Sequence, residues 1–260
     1  HRDLHLSLRR QRQMCIRDRY IINGQKIWTS RAEHSDLMLL LARTTPVEEV
    51  KKRTDGLSVF LVDMKESLGK GMEISPIRTM INHSTTQIFF DELEIPADSL
   101  VGEEGKGFRY ILDGMNAERI LISHESLVDA RWFIKKAVDY ANEREVFGRP
   151  IGKNQGVQFP IAKAYANTEA AALMSKRAAE LFESGEPCGA ESNMAKMLAA
   201  DAAWEAGDTC MQTFGGFAFA EEYDVERKYR EARLYRVAPI STNLVLGYLA
   251  EHILGLPRSY

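Results

Sequence analysis

The fold of this chain is decided by the stretch Gly107-Phe-Arg-Tyr-Ile-Leu-Asp-Gly-Met-Asn-Ala-Glu-Arg-Ile-Leu-Ile-Ser123, which continues without a helix breaker to Gly148. Its apolar residues recur at the three- and four-residue spacing of one helix face: Phe108, Ile111, Met115 and Ile122. This periodicity predicts a single long helix with an apolar stripe that faces a core.

Glu118 interrupts the apolar stripe of this helix, between Met115 and Ile122. An ionised carboxylate that is buried without a partner costs several kcal/mol. The position therefore predicts one of two roles for Glu118, an ion pair with another helix or a general base whose pKa is raised by desolvation. The position alone leaves both roles open.

The composition is that of a globular protein without a strong charge bias. Of the 260 residues, 45% are hydrophobic and 27% are charged, and the net charge is -3, so no basic field indicates nucleic acid or an anionic membrane as a partner. Cys15, Cys188 and Cys210 are scattered and lack metal-ligand spacing, which predicts no structural zinc and a reducing compartment. No stretch approaches the roughly 20 apolar residues of a membrane span.

The first 19 residues differ from the rest of the chain. They contain six arginines, no Gly or Pro and no apolar period, which does not predict a packed structure. The segment from Arg9 to Arg19 resembles the translated read-through of a sequencing adapter. We therefore expect residues 1–19 to be a non-native or disordered leader.

Residues 20–101 predict a small antiparallel β domain. Tyr20 to Ile22 and Gln25 to Trp28 flank Asn23-Gly24, the strongest two-residue signal for a β-hairpin turn. Further short apolar runs, separated by turn residues, predict four more strands at residues 37–42, 57–62, 72–77 and 87–90. Six strands without a helical period favour an antiparallel sheet or barrel.

Residues 102–260 predict a helical domain. After the long helix and a break at residues 148–152, a second helix is expected at residues 154–183, with Asn154 as N-cap and a kink at Pro160. A third is expected at 190–214 and two shorter ones at 224–235 and 240–254. The predicted fold class is therefore α+β, a small antiparallel β domain followed by an up-down four-helix bundle.

Three motifs are compatible with a bound cofactor, and each also has a structural explanation. Gln212-Thr-Phe-Gly-Gly216 can let a backbone approach a phosphate, or it can be a helix C-cap. Arg144 and Phe147 with Gln155 suit a pyrophosphate and an adenine, or form a solvated helix end. Trp28-Thr29-Ser30 can back a flat ring, or Trp28 can pack inside a sheet. The histidines show no metal-ligand or triad spacing.

The order of these motifs along the chain resembles that in the acyl-CoA dehydrogenases. The resemblance covers residues 20–260 and rests on six segments: 22–30, 89–96, 102–108, 144–151, Gln155 and 212–216. Members of this family have an N-terminal helical domain, a middle β domain and a C-terminal four-helix bundle. The resemblance therefore implies that the N-terminal helical domain is missing from this sequence.

The resemblance implies an FAD-dependent enzyme that converts an acyl-CoA to the 2-enoyl-CoA. A carboxylate takes the α-proton, the β-hydride passes to the flavin, and the electrons leave to an electron-transfer flavoprotein. Family members are homodimers or homotetramers, and we expect a cytoplasmic location, or the matrix of an organelle. Two alternatives stay open, another flavoenzyme of the same fold, such as an oxidase or a flavin monooxygenase, and a non-catalytic scaffold.

The resemblance also assigns cofactor-binding residues, in two groups. Trp28, Thr29 and Ser30 match the residues beside the flavin ring. A second group matches the residues that grip the FAD of the neighbouring subunit: Arg144, Phe147, Gln155, Gln212, Gly215 and Gly216. Glu118 and Arg144 are 26 positions apart, roughly 39 Å at helical rise, so one helix would serve two different cofactor molecules.

The base is expected on the long helix. Many members of the family place their catalytic Glu after a Tyr near the C-terminus, but the matching stretch here, residues 235–239, contains no carboxylate. The isovaleryl and long-chain enzymes carry the base in a Glu-Arg pair on the long helix, which Glu118 and Arg119 resemble. The resemblance thus makes Glu118 the base and assigns Asn116 and Arg119 to the acyl-CoA substrate.

Overall fold

The computed structural model describes residues 15, 16, 18–81 and 83–259. The chain divides into two compact units, the first extending to Asp113 and the second beginning at Gly114. The domain boundary that the sequence places between residues 101 and 102 stays a prediction. Most of the expected leader, residues 1–14 and 17, lies outside the described residues.

The first unit contains two antiparallel sheets. Its strands are β1 (Cys15–Ile16), β2 (Arg19–Ser30), β3 (Leu37–Arg43), β4 (Leu57–Asp63), β5 (Met72–Pro76), β6 (Thr85–Pro96) and β7 (Leu100–Val101), with a short helix α1 (Met64–Ser67) after β4. Within the described residues, one sheet has the strand order β1-β2-β6-β5 and the other β3-β4-β7. The predicted antiparallel β structure is confirmed, in the form of two sheets.

Both sheets contribute side chains to one apolar core. Ile22 and Ile88 come from the larger sheet, and Leu40 and Phe60 from the smaller one, and all four are almost fully buried. Tyr20 packs edge-to-face against Phe60, with ring centroids 4.8 Å apart. Alternation of buried and exposed residues along β4 and β6 therefore sets which face of each sheet is buried.

The predicted hairpin at Asn23-Gly24 is wrong. Both residues lie inside the continuous strand β2, where the register with β6 shifts between Ile22 and Gly24. The Asn23 amide donates to Glu92 Oε1 at 2.5 Å, and the Glu92 backbone N–H donates to Asn23 Oδ1 at 2.7 Å. These cross-strand bonds fix Asn23 at a β-bulge, where Gly24 has a positive φ of 141° that glycine adopts readily.

The second unit is built from helices. They are α2 (Gly107–Glu143, which begins in the first unit), α3 (Gln155–Glu183), α4 (Gly189–Phe214), α5 (Val225–Ala232) and α6 (Thr242–Tyr248). A short hairpin of β8 (Glu145–Val146) and β9 (Arg149–Pro150) joins α2 to α3. The predicted bundle after the β strands is confirmed, and with it the α+β fold class.

Small side chains let the helices of the second unit pack closely. Phe133 of α2 fills the centre of the core, and Ala164 of α3 and Ala203 of α4 are buried in the same cluster. A polar network ties the C-terminal part to α2, because Lys228 forms an ion pair with the buried Asp129 and the Tyr235 hydroxyl donates to Asp129 Oδ2 at 2.9 Å. Burial raises the pKa of Tyr235, and the carboxylates of Asp129 and Glu125 beside its hydroxyl raise it further.

Helix α3 begins after Asn154, as predicted, but Asn154 does not cap it with its side chain. The Asn154 amide instead donates to the Ile151 carbonyl at 2.9 Å, and its oxygen accepts from Arg149 at 3.0 Å. The side chain is therefore engaged by the preceding turn. Pro160 lies inside α3, and the predicted kink there stays a prediction.

Lys196 is an uncommon residue to find fully buried, as it is here in α4. Its ammonium donates to the Ile240 carbonyl at 2.6 Å and so fastens the segment before α6 to the bundle. Burial lowers the pKa of Lys196 to about 8, although the nearby Asp201 opposes this shift. The charged form is thus less favourable in the folded protein than in water.

Gly107 approaches the backbone of β4 so closely that a side chain would overlap it. A Cβ at this position would lie 2.6 Å from the Ser58 carbonyl carbon and from the Val59 nitrogen, whereas a Cβ at Gly114 would meet nothing within 4 Å. We expect Gly107→Ala to lower the free energy of unfolding by about 1–3 kcal/mol. The matched change Gly114→Ala in the same helix should raise it by about 0.5–1 kcal/mol. Urea unfolding measures both, and equal effects would contradict the close approach.

Lys196→Met should change how stability depends on pH. Between pH 8 and 10.5 the unfolded chain binds more protons than the folded chain, since the folded pKa is about 8 and the ordinary value is 10.5. Stability should therefore rise with pH across this window, by at most about 3 kcal/mol. Urea unfolding at pH 7.5 and pH 10 should show this rise in the wild type and in the exposed-lysine control Lys176→Met, but not in Lys196→Met. An identical rise in the free energy of unfolding in all three proteins would refute the assignment of this pH dependence to Lys196.

Candidate functional site

The predicted flavin-facing segment lies at the end of β2. Trp28 has a left-handed backbone, with φ of 64°, and the register between β2 and β6 shifts between Ile27 and Thr29. The Trp28 side chain is 64% exposed, so it does not pack inside the sheet. A left-handed backbone at a large aromatic residue is strained, and such strain is concentrated at functional sites.

Residues 83–86, at the start of β6, hold this segment in place. The Thr86 hydroxyl donates to the Thr29 carbonyl at 2.9 Å, and the Arg31 backbone N–H donates to the Ser84 carbonyl at 3.0 Å. His83 Nε2 lies 2.8 Å from the Ser30 hydroxyl. Sequence reasoning missed His83, because only the register that pairs Ser30 with Thr85 brings the imidazole to this hydroxyl.

Glu118 is exposed, so the expectation that it lies on the buried stripe of α2 is wrong. The buried face of this part of α2 passes through Ile120, Ser123 and Leu127. Glu118 is two residues from Ile120, about 200° around the helix, and therefore points away from the core. The role of Glu118 as a base does not follow from burial within this chain.

Arg119, its neighbour, is the half-buried member of the pair. Its guanidinium donates to Asn116 Oδ1 at 3.0 Å, one turn earlier in α2. Its Nε atom is buried and has no hydrogen-bond partner among the described residues. Burial lowers the pKa of Arg119, while Glu118 and Tyr248 favour its charged form. Asn116 and Arg119 thus form a preorganised polar pair whose buried Nε donor is unused among the described residues.

The second predicted group is arranged around the hairpin after α2. The helix ends at Glu143, five residues before the predicted end at Gly148, because the chain turns into β8 and β9 there. Phe147 and Gly148 form the two-residue turn, with φ of 53° and 75°, which is the pattern of a type I′ hairpin. This turn leaves the Phe147 ring fully exposed to solvent.

Contacts between aromatic side chains bring the end of α4 to this hairpin. Tyr140 stacks on Phe214, with centroids 4.1 Å apart, and the Arg144 guanidinium lies 5.8 Å from the centroid of Phe217. Gly215, with φ of 60°, and Gly216 lie between these two phenylalanines and are exposed. The structure therefore brings Arg144 together with the Gly215-Gly216 turn, as the resemblance implies.

Gln155 and Gln212 complete the group at this corner. Gln155 is the first residue of α3 and follows the hairpin, and Gln212 lies in the last turn of α4. In the part of the chain that the structure describes, neither amide makes a side-chain hydrogen bond, and the Arg144 guanidinium lies over the Phe217 ring without a hydrogen bond or ion pair. These unused donors beside an exposed aromatic ring fit the pyrophosphate and adenine of FAD.

Helix α2 separates the two predicted groups of the second unit. Glu118 and Glu143 lie in one continuous helix, and 25 residues at helical rise give about 38 Å. The structure therefore does not bring Glu118 and Arg119 together with Arg144. Trp28 and Ser30 belong to the first unit.

The stretch after Tyr235 offers no carboxylate to a site. Arg236 instead forms an ion pair with Asp201 of α4, with Nε and Oδ1 2.8 Å apart. Together with the bond from Lys196 to Ile240, this pair anchors the segment to α4 at two points. Glu118 is thus the candidate base that the resemblance leaves.

The described residues form two cavities of notable size, and only one lies beside these groups. One of about 560 Å³ is lined by Tyr140 and Phe214 and by Trp132 and Lys136, next to the hairpin corner. A larger one, of about 740 Å³ in the first unit, is lined by a mixture of apolar, polar and charged residues and by none of the predicted site residues. The larger cavity therefore does not mark the candidate site.

The described residues contain no group of three His, Cys, Asp or Glu side chains placed to hold a metal ion. Among the helices that the structure describes, none has the length and apolar character needed to cross a membrane.

Family models match most of the chain. The model for "Acyl-CoA dehydrogenase, middle domain" matches residues 9–93, and that for "Acyl-CoA dehydrogenase, C-terminal domain" matches residues 105–254. The chain is 36% identical over 245 residues to acyl-CoA dehydrogenase FadE12 of Mycobacterium bovis, across 93% of this chain and 62% of that protein. The chain thus spans less than two thirds of the length of this relative.

The chain is also similar in structure to solved proteins. The glutaryl-coenzyme A dehydrogenase complex with glutaryl-CoA has a TM-score of 0.89 at 26% identity, over 97% of this chain and 63% of that one. PigA with FAD and proline has a TM-score of 0.89 at 25% identity, over 97% and 64%.

Phe147→Ala should leave the stability of the protein unchanged, because the ring is fully exposed and exposed side chains away from special contacts contribute within about 0.5 kcal/mol. Phe214→Ala, in the same corner, removes a buried ring stacked on Tyr140 and should cost about 3–5 kcal/mol. Urea unfolding of both variants makes the comparison. A large loss in Phe147→Ala would mean that the ring has a structural role and would argue against a binding role.

Proposed function

The chain belongs to the acyl-CoA dehydrogenase family, and we propose that it forms part of an FAD-dependent enzyme that converts an acyl-CoA thioester to the 2-enoyl-CoA. The observation that carries this proposal is the pair Glu118-Arg119 on α2, combined with the absence of a carboxylate from residues 235–239. This placement resembles the isovaleryl and long-chain enzymes.

In this proposal the Glu118 carboxylate removes a proton from the α-carbon of the thioester. The electron pair of that C–H bond forms the double bond to the β-carbon, which loses a hydride. The acceptor for this hydride would be supplied by FAD when it is bound. General-base catalysis of this kind contributes about 10²–10⁴-fold to a rate. Glu118 is exposed in this chain, so its carboxylate is free to meet a substrate.

Asn116 and Arg119 are proposed to bind and orient the acyl-CoA. The bond between them holds the guanidinium in place, and the unpartnered Nε of Arg119 supplies a donor with no competing partner among the described residues. Buried donors without partners are costly, so a polar group of the substrate that reaches this atom gains a favourable hydrogen bond.

Two copies of the chain are proposed to share each cofactor. Trp28, Thr29 and Ser30 would contact the flavin ring in one subunit. The hairpin group, from Arg144 to Gly216, would grip the FAD of the neighbour. The length of α2 between Glu118 and Glu143 supports this division, and a homodimer or homotetramer is the corresponding assembly. An electron-transfer flavoprotein is the proposed acceptor, and a cytoplasmic location, or the matrix of an organelle, stays a prediction.

Glu118→Gln tests the proposed base in the full-length holoenzyme. The amide cannot take the α-proton, so FAD should stay bound while the rate of flavin reduction by acyl-CoA falls at least about 100-fold. Anaerobic stopped-flow measurement of the loss of flavin absorbance gives this rate. Asp113→Asn, which removes another exposed carboxylate of α2, is the matched control and should react as the wild type does.

Flavin binding and flavin reduction together distinguish the proposed dehydrogenase from another flavoenzyme and from a scaffold. Wild-type turnover in Glu118→Gln would refute the assignment of the base. A wild-type protein that holds FAD but is reduced by no acyl-CoA would favour another flavoenzyme of this fold. A full-length protein that binds no FAD would favour a scaffold.

A further inference from the structure

Ser30 is held by two different kinds of contact from the start of β6. Backbone and hydroxyl contacts from Ser84 and Thr86 fix the main chain around Thr29 and Arg31. The remaining contact, from His83 Nε2 at 2.8 Å, reaches the Ser30 hydroxyl itself. Ser84 and Thr86 therefore fix the backbone position of Ser30. His83 is placed to fix the direction of the Ser30 O–H bond.

We propose that His83 is a positioning residue that holds the Ser30 hydroxyl with its proton directed outward, toward the oxidised flavin ring. The inference rests on the proposed function for the placement of Ser30 beside the flavin. It adds a residue that neither the motifs nor the resemblance assigned.

The direction follows from the protonation states of an imidazole. In the imidazolium ion and in the neutral form with hydrogen on Nε2, this nitrogen donates to the Ser30 oxygen, and only in the other neutral form does it accept. A hydroxyl has one proton and two lone pairs. When one lone pair accepts from His83, the proton stays available to a second partner. His83 therefore makes Ser30 an outward donor in two of its three states.

An outward donor distinguishes the two redox states of a flavin. The oxidised ring has nitrogen lone pairs that accept hydrogen bonds, whereas the reduced ring carries additional N–H groups that donate. A Ser30 proton fixed outward therefore favours binding of oxidised FAD over reduced FAD. Loss of His83 frees the hydroxyl to rotate and present a lone pair, which removes this preference.

Ser30 and His83 can each be substituted without loss of core packing, because both side chains are exposed. Both Ser30 and His83 are exposed in the described chain, and the His83 side chain makes no other hydrogen bond among the described residues. A change at His83 should therefore alter the Ser30 hydroxyl while the contacts from Ser84 and Thr86 stay in place.

Two amide substitutions at this position differ only in reach. In His83→Gln the amide nitrogen lies about where Nε2 lies and can still donate to Ser30, whereas in His83→Asn the shorter side chain cannot reach it. His34→Asn, at another exposed histidine of the same unit, controls for the loss of an imidazole as such. Ser30→Ala and the double variant Ser30→Ala/His83→Asn complete a double-mutant cycle.

The experiment is a reductive titration of the full-length holoenzyme against a reference dye, followed by the absorbance of bound FAD. We expect His83→Asn to raise the midpoint potential through a three- to tenfold change in the ratio of affinities for reduced and oxidised FAD; tenfold corresponds to about 30 mV for two electrons. His83→Gln and His34→Asn should match the wild type. Ser30→Ala should behave as His83→Asn does, and the double variant should add nothing.

Other outcomes overturn the inference in separable ways. An unchanged midpoint potential in His83→Asn would show that His83 does not act through Ser30. The same conclusion would follow if His83→Asn shifted the potential equally in the wild-type and Ser30→Ala backgrounds. In both cases the proposed function would stand. A wild-type protein that binds no FAD would overturn the proposed function together with this inference. If His83→Asn fails to fold, His83→Gln and Ser30→Ala still test the inference. A midpoint potential that differs from the wild type in His83→Gln, together with an unchanged potential in Ser30→Ala, would refute the inference.

Discussion

The candidate site depends on the rigidity of α2. Its backbone hydrogen bonds run unbroken from Glu118 to Glu143, and at 1.5 Å per residue they hold the two positions about 38 Å apart. This is longer than an extended dinucleotide. The polar groups at the two ends of α2 therefore cannot grip one FAD together, and the proposed function requires that the hairpin group serve the cofactor of another copy.

The helices of the second unit could be predicted from the sequence because their determinants are local. An apolar period of 3.6 residues specified α2, α3 and α4, and turn residues marked the ends of α3 and α4 to within one residue. The end of α2 was missed, since residues 144–148 have helical composition. The helix ends where β8 pairs with β9 and Arg144 lies over the Phe217 ring. The second of these contacts joins residues far apart in sequence, which no local pattern contains.

The errors in the first unit have the same origin. Asn23-Gly24 has the composition of a hairpin turn, but Glu92, 69 residues away, bonds to the Asn23 amide and makes the pair a bulge in one long strand. No sequence pattern identifies His83, because the histidines show no metal-ligand or triad spacing and only the β2–β6 register brings His83 to Ser30. Motif order identified the candidate residues Trp28 and Ser30. The residue that contacts the Ser30 hydroxyl came from non-local pairing.

Glu118 and Arg119 are adjacent in sequence but differ in burial, because they lie at different positions around α2. The sequence placed the acid on the apolar stripe, whereas α2 buries Ile120 and exposes Glu118, with Arg119 between them half-buried. A solvated carboxylate is a weak base toward a thioester α-carbon, so the proposed role of Glu118 requires that water leave its carboxylate first. Arg119 is already fixed by Asn116, and in the proposed function it would hold the substrate in place. In the proposed function, the acyl chain of a bound substrate would displace water from Glu118, so that the proposed base would be desolvated only when the substrate is in place.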